Sequence, residues 1–275
     1  MKYRLVALDL DGTLLDSRLQ IRPQTIETLQ RVRETGVQVM IVTGRHHTAV
    51  YPYWHQLNLE LPAICCNGTY VYDFRAHCAL VSNPMTLTES QRLLALAREH
   101  AIHIMIYFDD VMAYENDSPH IDKLLEWSAT LPEAVRPRIE RVASFDKTIE
   151  KAQMLWKFLA FGEDVAALHA FDDEVSRSLD LSCVWSAKNR IDIARGGNNK
   201  GHRLGEFIGQ LGILPCEVIA FGDQDNDKEM LKLAGLGVAM GNSREDVREH
   251  ADCVTGSNNS DGIAEVLQRL ILTSM

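Results

Sequence analysis

Short apolar runs that end abruptly in polar residues and a glycine constrain the fold of this chain more than any other feature. Residues 3–8 run into Asp9-Leu10-Asp11-Gly12-Thr13, and residues 37–42 run into Thr43-Gly44-Arg45. Runs of this length that are mostly apolar are typical of strands buried on both faces of a parallel sheet. Helical patterns lie between the runs, so we predict an α/β fold built on a doubly wound parallel sheet.

The same alternation of strands and helices is present at both ends of the chain. We predict further core strands over 62–66, 218–221, 237–240 and 253–254, and core helices over 23–35, 47–57, 200–211, 227–234, 244–250 and 263–272. The middle mixes helices over 90–100, 121–130 and 165–179 with a strand over 102–108, which is typical of an α+β module. We therefore predict a core domain of residues 1–83 and 191–275, with a second domain, residues 84–190, inserted into it.

Composition argues against several classes of function. The formal net charge of the 275 residues is −10, and a surface of that sign repels nucleic acid and anionic lipid. No apolar stretch approaches the roughly 18 residues of a membrane span, and Asp9 and Asp11 interrupt the N-terminal run before any signal-peptide cleavage pattern. The six cysteines form no Cys-x-x-Cys pair, which indicates reduced thiols. We expect a cytoplasmic protein with no nucleic-acid or membrane partner.

Residue types suited to a cation and a phosphate group follow three of the predicted strands. Asp9, Thr43 and Asp223 each come just after a strand, and open α/β sheets bind their ligands at that edge. Asp9 and Asp11 face the same way in an extended chain, so their charges repel unless a cation lies nearby. Asp223 begins another acidic run that suits a hard cation, and Lys200 is a candidate phosphate partner. Each signal alone is also compatible with a surface turn; only the combination indicates a site.

Together, these motifs resemble those of the haloacid dehalogenase superfamily, and in particular its Cof-type phosphatases. They are, in chain order, Asp9-Leu10-Asp11-Gly12-Thr13, Thr43-Gly44-Arg45, Lys200, and Gly222-Asp223 with Asn226-Asp227. The resemblance covers nearly the whole chain and implies a Rossmann-like core with an inserted C2-type cap. It also implies Mg²⁺-dependent hydrolysis of phosphate monoesters of small metabolites through an aspartyl-phosphate.

The same resemblance implies roles for individual residues. Asp9 is the expected nucleophile and Asp11 the general acid and base. The expected Mg²⁺ ligands are Asp9, the backbone carbonyl of Asp11, and Asp223, with Asp227 orienting them. The residues expected to bind the phosphate oxygens are Leu10, Thr43, Gly44, Lys200 and Asn226. The candidate substrate contacts are Arg45, His46, Asn67 and Arg195.

Within this subgroup the chain most resembles bacterial pyridoxal phosphate phosphatases. The segments that support this are residues 43–47 (Thr-Gly-Arg-His-His), 65–70 (Cys-Cys-Asn-Gly-Thr-Tyr) and 192–198 (Asp-Ile-Ala-Arg-Gly-Gly-Asn). A phosphatase of sugar phosphates or of flavin mononucleotide is an alternative, and so is a phosphomutase, whose first step uses the same motifs. A non-catalytic sensor of phosphate ligands is the alternative outside enzymes, although it would not need Asp11 as a proton shuttle.

Overall fold

A parallel sheet and an antiparallel sheet belong to two separate compact units of this protein. The structure, a computed structural model, describes residues 2–273. Within that range, unit 1 consists of the residues up to Thr43, of Tyr53–Leu80 and of the residues from Asn199 onward. Unit 2 consists of Gly44–Pro52 and Val81–Asn198. No helix within residues 2–273 combines the length and the apolar character needed to span a membrane.

Strands and helices alternate along both units. Among residues 2–273 the strands are β1 Leu5–Leu8, β2 Gln38–Ile41, β3 Ala63–Cys65, β4 Tyr70–Asp73, β5 Cys78–Ser82, β6 His103–Phe108, β7 Val111–Tyr114, β8 Ile139–Arg141, β9 Leu155–Phe161, β10 Leu181–Ala187, β11 Arg190–Arg195, β12 Val218–Gly222, β13 Leu236–Ala239 and β14 Cys253–Val254. The α-helices are α1 Pro23–Glu34, α2 His47–Gln56, α3 Leu87–Glu99, α4 Pro119–Ala129, α5 Phe145–Lys151, α6 Val165–Ser178, α7 Lys200–Gln210, α8 Lys228–Leu233, α9 Glu245–Arg248 and α10 Gly262–Leu267. A π-helical turn over Gln268–Leu272 continues α10.

The sheet of unit 1 is parallel throughout and has the strand order β14-β13-β12-β1-β2. Leu8, at the end of β1, lies beside Phe221 of β12 on one side and beside Ile41 of β2 on the other. Since β1 is buried along its whole length, its apolar run reflects two covered faces. This register brings the carboxyl ends of β1, β2 and β12 to one edge of the sheet, and the fold class predicted from the sequence is confirmed.

The third predicted core strand departs from this pattern. A single parallel bridge joins Val42 to Ile64, but β3 then pairs with β4 in an antiparallel arrangement. Together β3, β4 and β5 form a separate three-stranded sheet. Cys66 and Asn67, with φ of 48° and 55°, adopt the left-handed conformation that turns the chain out of β3.

Unit 2 is an α+β unit built on a six-stranded sheet. Its strand order is β10-β11-β9-β6-β7-β8, antiparallel except for the parallel pair of β7 and β8. The apolar core of this unit includes Leu93 and Phe171 from helices and Phe158 and Ile193 from strands, all buried.

The two units differ from the predicted domains in two places. The second half of the core was expected to begin at residue 191, but strand β11 there pairs with β9 and β10 and so belongs to the sheet of unit 2. Residues Gly44–Pro52 also belong to unit 2, although they follow β2 directly. Both differences arise from contacts between residues far apart in the chain, which local patterns do not record.

Candidate active site

Three buried carboxylates meet at the carboxyl edge of the parallel sheet. Asp9 follows β1 directly and Asp223 follows β12 directly, and the backbone N–H of Asp9 donates to Phe221 O at 3.1 Å. Asp227 lies four residues beyond Asp223. Each of the three aspartates offers one carboxylate oxygen, and these oxygens all lie within 4.8 Å of one another. The arrangement is one in which a divalent cation fits.

Lys200, the first residue of α7, is the cation that the chain itself places in this cluster. Its Nζ donates to Asp9 Oδ1 at 2.6 Å and to Asp227 Oδ1 at 2.7 Å, and the side chain is fully buried. Burial alone would lower the pKa of Lys200, but the charges of Asp227 and Asp9 outweigh it and raise the pKa. Lys200 therefore stays protonated at any working pH.

A single lysine does not balance three carboxylates. Burial, and then the neighbouring charge of Asp227, raises the pKa of Asp223 to about 7. Burial also raises the pKa of Asp9 well above its ordinary range, despite the opposing charge of Lys200. A buried site with excess negative charge made of oxygen ligands has the chemistry that Mg²⁺ requires. The residues present thus fit the metal expected from the sequence.

The turn after β1 is shaped around Asp223. Gly12 has a φ of +79°, and a Cβ at this position would lie 2.3 Å from Asp223 Oδ2. Thr13 Oγ1 donates to Asp223 Oδ1 at 2.9 Å. Asn242 Nδ2 donates to Gly12 O at 2.9 Å and to Asp223 Oδ2 at 3.3 Å. Only glycine allows this approach of backbone to carboxylate.

Asn242 is a site residue that the sequence reasoning missed. It comes shortly after β13, which ends at the same edge of the sheet as β12. Its position after a core strand was the available signal.

Both oxygens of Asp227 are used by donors of the protein. Oδ1 accepts from Lys200, and Oδ2 accepts from the backbone N–H groups of Asp223 at 2.9 Å and Gln224 at 3.0 Å. Because these bonds fix the backbone at Asp223, they also fix the direction of its carboxylate.

Thr43 is linked to the acidic loop through Asn67. The backbone N–H of Asn67 donates to Thr43 O at 3.0 Å, and Asn226 Nδ2 donates to Asn67 Oδ1 at 2.9 Å. Among residues 2–273, Asn226 Oδ1 is buried without a hydrogen-bond partner. Asn226 Nδ2 carries two N–H groups and donates one of them to Asn67, so the second is the donor that the predicted phosphate contact requires.

The remaining predicted residues of unit 1 lie in the turn after β1. Leu10 is buried, and its carbonyl accepts from the backbone N–H groups of Thr13 and Leu15. The side chain of Asp11 is exposed, and its backbone bridges to Leu15. Asp11 is thus the more exposed of the two aspartates in this turn.

The other predicted residues lie in unit 2. The Arg45 guanidinium carbon lies 5.0 Å from the centre of the Trp127 ring, and Arg195 Nε lies 3.7 Å from Glu89 Oε1. His46 is fully buried. Both of its ring nitrogens have partners, Thr48 Oγ1 at 2.8 Å and the Asp109 carbonyl at 3.1 Å. These two contacts hold the His46 ring in place within unit 2, and its contact with substrate stays a prediction.

Comparison with known proteins identifies the class to which this fold and this site belong. A family model described as haloacid dehalogenase-like hydrolase matches residues 6–267. The chain belongs to the haloacid dehalogenase-like hydrolase family, and it is a phosphatase acting on phosphoric monoesters. The superfamily and the enzyme class predicted from the motifs are confirmed.

Relatives of known name share nearly the whole chain. Pyridoxal phosphate phosphatase YbhA of Escherichia coli (strain K12) is 44% identical over 267 residues, which are 97% of this chain and 98% of that protein. The 5-amino-6-(5-phospho-D-ribitylamino)uracil phosphatase YitU of Bacillus subtilis (strain 168) is 31% identical over 278 residues, with 97% of each chain covered.

Solved structures show the same fold. A haloacid dehalogenase-like hydrolase from Bacteroides thetaiotaomicron matches with a TM-score of 0.84 at 28% identity, and the match covers 98% of this chain and 100% of that one. A haloacid dehalogenase-like hydrolase from B. subtilis matches with a TM-score of 0.85 at 26% identity, covering 97% and 99% of the two chains.

Proposed function

We propose that this phosphatase hydrolyses phosphate monoesters of small metabolites through an aspartyl-phosphate on Asp9, with pyridoxal 5′-phosphate as the leading substrate. The observation that supports this most is the contact between Lys200 Nζ and Asp9 Oδ1 at 2.6 Å, beside Asp223 and Asp227. A carboxylate held against a buried ammonium is a nucleophile that needs no separate base.

In the first proposed step, a carboxylate oxygen of Asp9 attacks phosphorus, and the bond between phosphorus and the ester oxygen breaks. Asp11 donates a proton to the departing oxygen. In the second step, water attacks phosphorus while Asp11 takes its proton, and inorganic phosphate leaves Asp9 restored. The exposure of Asp11 supports this role, since a proton shuttle must reach both the leaving group and water.

The proposed metal ligands are the carboxylates of Asp9 and Asp223 and the backbone carbonyl of Asp11. A bound Mg²⁺ would neutralise charge on the phosphoryl oxygens, which is the main requirement of phosphoryl transfer. Asp227 holds Asp223 in place and balances Lys200. Gln224 Nε2 and Thr13 Oγ1 both donate to Asp223, so its remaining lone pairs have a defined direction.

The proposed phosphate contacts are the Leu10 amide, the Thr43 hydroxyl, the Gly44 amide and Lys200. These donors stabilise an anion that carries more charge in the transition state than in the substrate. Asn226 joins them through the second N–H group of its Nδ2, since Asn67 accepts from the first. Arg45, Asn67 and Arg195 stay candidate contacts to the leaving group.

The choice of pyridoxal 5′-phosphate is supported by the name of the relative that is 44% identical. The relative that is 31% identical is named for a ribityl-uracil phosphate, so sugar and flavin-type phosphates belong in the same panel. Phosphate release should be measured across pyridoxal 5′-phosphate, flavin mononucleotide and hexose phosphates with Mg²⁺ present. A kcat/KM for pyridoxal 5′-phosphate below that of the others would overturn the substrate proposal.

Replacing the nucleophile tests the chemistry itself. Asp9→Asn should lower kcat by at least about 10³-fold while the protein stays folded, since the amide cannot form the aspartyl-phosphate. Asp225→Asn is the matched control, because Asp225 lies in the same acidic loop but is paired with Arg244 and Lys228 at 2.8 Å. It should keep wild-type kinetics. Asp9→Asn with full activity would exclude the mechanism.

Water as the acceptor separates a hydrolase from a phosphomutase. Hydrolysis in ¹⁸O-labelled water should place one labelled oxygen in the inorganic phosphate released. A phosphorylated product without free phosphate would indicate the mutase. We also propose a cytoplasmic enzyme with a small phosphorylated metabolite as its partner, and the six cysteines without a Cys-x-x-Cys pair support a reducing compartment.

A further inference from the structure

Two segments that mark the resemblance to pyridoxal phosphate phosphatases, more than a hundred residues apart in the chain, meet inside unit 2. One is the segment from Gly44 to His47, which follows Thr43, and the other begins at Asp192 in β11. The residue that joins them is Lys157 of β9, which the mechanism above does not use. Lys157 and Asp192 are each only 4% exposed, so the pair is isolated from solvent.

The ammonium of Lys157 lies among polar and aromatic partners of unit 2. Its Nζ donates to Asp192 Oδ1 at 2.6 Å and to the backbone carbonyl of Gly44 at 2.8 Å. The same ammonium lies 4.7 Å from the centre of the Tyr107 ring. A buried lysine with a carboxylate, a carbonyl and an aromatic face around it has a fixed position.

The residues after Gly44 are anchored to the same unit. His46 accepts from Thr48 through Nδ1 and donates through Nε2 to the Asp109 carbonyl, while His47 Nε2 lies 2.9 Å from Asp110 Oδ1. Burial lowers the pKa of both histidines, so they are neutral at working pH. Gly44 itself has no side chain, and Lys157 binds its backbone carbonyl.

We propose that Lys157, held by Asp192, is a positioning residue that fixes the peptide after Gly44 and thereby orients the Thr43–Gly44 amide for phosphate. Glycine has the greatest backbone freedom of any residue, so a hydrogen bond to its carbonyl removes a rotation that no side chain could restrain. This inference rests on the proposed role of Thr43 and Gly44 in phosphate binding. It adds a buried ion pair that controls the orientation of those phosphate donors.

The role differs in its consequences from two simpler ones. A purely structural ion pair would affect stability and leave the kinetics of the folded enzyme unchanged. A residue that contacts the leaving group would change kcat/KM for some substrates more than for others. A residue that aims the phosphate donors lowers kcat/KM by the same factor for every phosphate monoester, because all of them share the phosphate.

The test is the double variant Lys157→Met/Asp192→Leu. Replacing both members of a buried pair with apolar side chains of similar volume leaves no unpaired charge and is often neutral for stability. We expect the melting temperature to stay within a few degrees of wild type. We expect kcat/KM to fall about 10- to 100-fold, and by the same factor for pyridoxal 5′-phosphate and p-nitrophenyl phosphate, as for small misplacements of catalytic groups.

The control is the double variant Arg98→Met/Asp146→Leu, which removes an ion pair of the same unit at 2.7 Å with about half of each side chain exposed. It should leave kcat/KM unchanged. Asp192→Asn serves as a second route, because it keeps the Lys157 side chain but removes its charge partner. It should give a smaller loss, again equal for the two substrates.

Amide hydrogen exchange gives a readout that needs no activity. Exchange over residues 44–48 should be at least tenfold faster in Lys157→Met/Asp192→Leu than in wild type, and unchanged in the Arg98→Met/Asp146→Leu control. Unchanged exchange and kinetics, or losses that differ between the two substrates, would overturn the positioning role. If wild type itself released no phosphate, the proposed function would fail, whereas the exchange result would still decide whether Lys157 fixes this segment.

Discussion

At the scale of single residues, the site depends on how closely backbone and carboxylates approach each other. Gly12 illustrates this, because its missing side chain leaves the space that Asp223 Oδ2 occupies. Asp223 is then held by Thr13 and Asn242 as well as by the backbone. The turn that follows Asp9 thus sets the direction of the Asp223 carboxylate.

Gly12→Ala should separate this crowding from ordinary backbone strain. At Gly12 the added Cβ meets Asp223 Oδ2 at 2.3 Å and φ is +79°, whereas at Gly36 φ is +91° with nothing within 4 Å. Both substitutions should cost about 1–2 kcal/mol of stability for the left-handed conformation. Only Gly12→Ala should also lower kcat/KM, by about 100-fold. Urea unfolding and steady-state kinetics check this, and equal kinetic losses in both variants would refute it.

At this scale the sequence predicted which polar residues lie together more fully than it predicted their partners. Asp9, Asp223, Asp227 and Lys200 do gather, as the polar residues after buried strands predict. Asn242 and Lys157 were not anticipated, because each acts through a partner far away in the chain. His46 was a candidate substrate contact, and its full burial was not predicted because burial depends on residues that are distant in the chain.

At the scale of elements, the start of α7 determines where Lys200 lies. Asn199 caps the helix, with Oδ1 accepting from the backbone N–H of His202 at 2.6 Å. Leu204, Phe207 and Ile208 are buried on the same side of the helix as Lys200. The cap fixes the first turn, and Lys200 is the first residue of that turn.

Removing this cap should therefore affect both stability and activity. Asn199→Ala should lower the free energy of unfolding by about 1 kcal/mol and kcat/KM several-fold. Thr86→Ala removes the cap of α3 in unit 2, where Thr86 Oγ1 accepts from the Glu89 N–H at 3.2 Å. It should cost a similar amount of stability and leave kinetics unchanged. If both variants kept wild-type kcat/KM, the cap would have no part in positioning Lys200.

For unit 1, the sequence predicts the bounds of the strands and helices better than it predicts which strands pair. Strands β1, β2 and β12 and helices α1 and α7 lie within a few residues of their predicted bounds, since each has an apolar pattern and a clear end. The antiparallel pairing of β3 and the membership of β11 were not predicted. Strand pairing depends on residues distant in the chain, so a local pattern identifies a strand without identifying its neighbour.

At the scale of the whole molecule, the excess negative charge of the site opposes folding when no metal is bound. Asp223 has a pKa of about 7 in the folded protein, above that of an unfolded aspartate. The folded state therefore binds this proton more tightly, and the stability that it contributes is lost as pH rises through about 7. Ionising Asp223 costs the metal-free protein stability on the order of a few kcal/mol.

Asp223→Asn should relieve this cost. In EDTA at pH 8 we expect the variant to be more stable than wild type by about 1–4 kcal/mol, and the difference should shrink as pH falls from 8 toward 4. Comparing the two proteins cancels the buried histidines, whose lowered pKa values change stability in the opposite direction below about pH 6.5.

Metal provides the complementary measurement. Added Mg²⁺ should raise the melting temperature of wild type at pH 8 but not that of Asp223→Asn, since binding of a ligand to the folded state stabilises it. Equal stabilisation of the two proteins would place the ion away from Asp223. A wild type that is more stable than the variant in EDTA at pH 8 would contradict the charge argument.

The nine-residue stretch Gly44–Pro52 has a consequence for how this enzyme family can be recombined. It is encoded with the catalytic half, yet its partners, among them Lys157, Asp109 and Trp127, are encoded with the insertion. Residues 81–198 expressed alone would lack the stretch Gly44–Pro52, so the surface that binds this stretch would be exposed. A chimera that transplants the insertion from one relative to another would carry half of a matched interface, unless this stretch were exchanged with it.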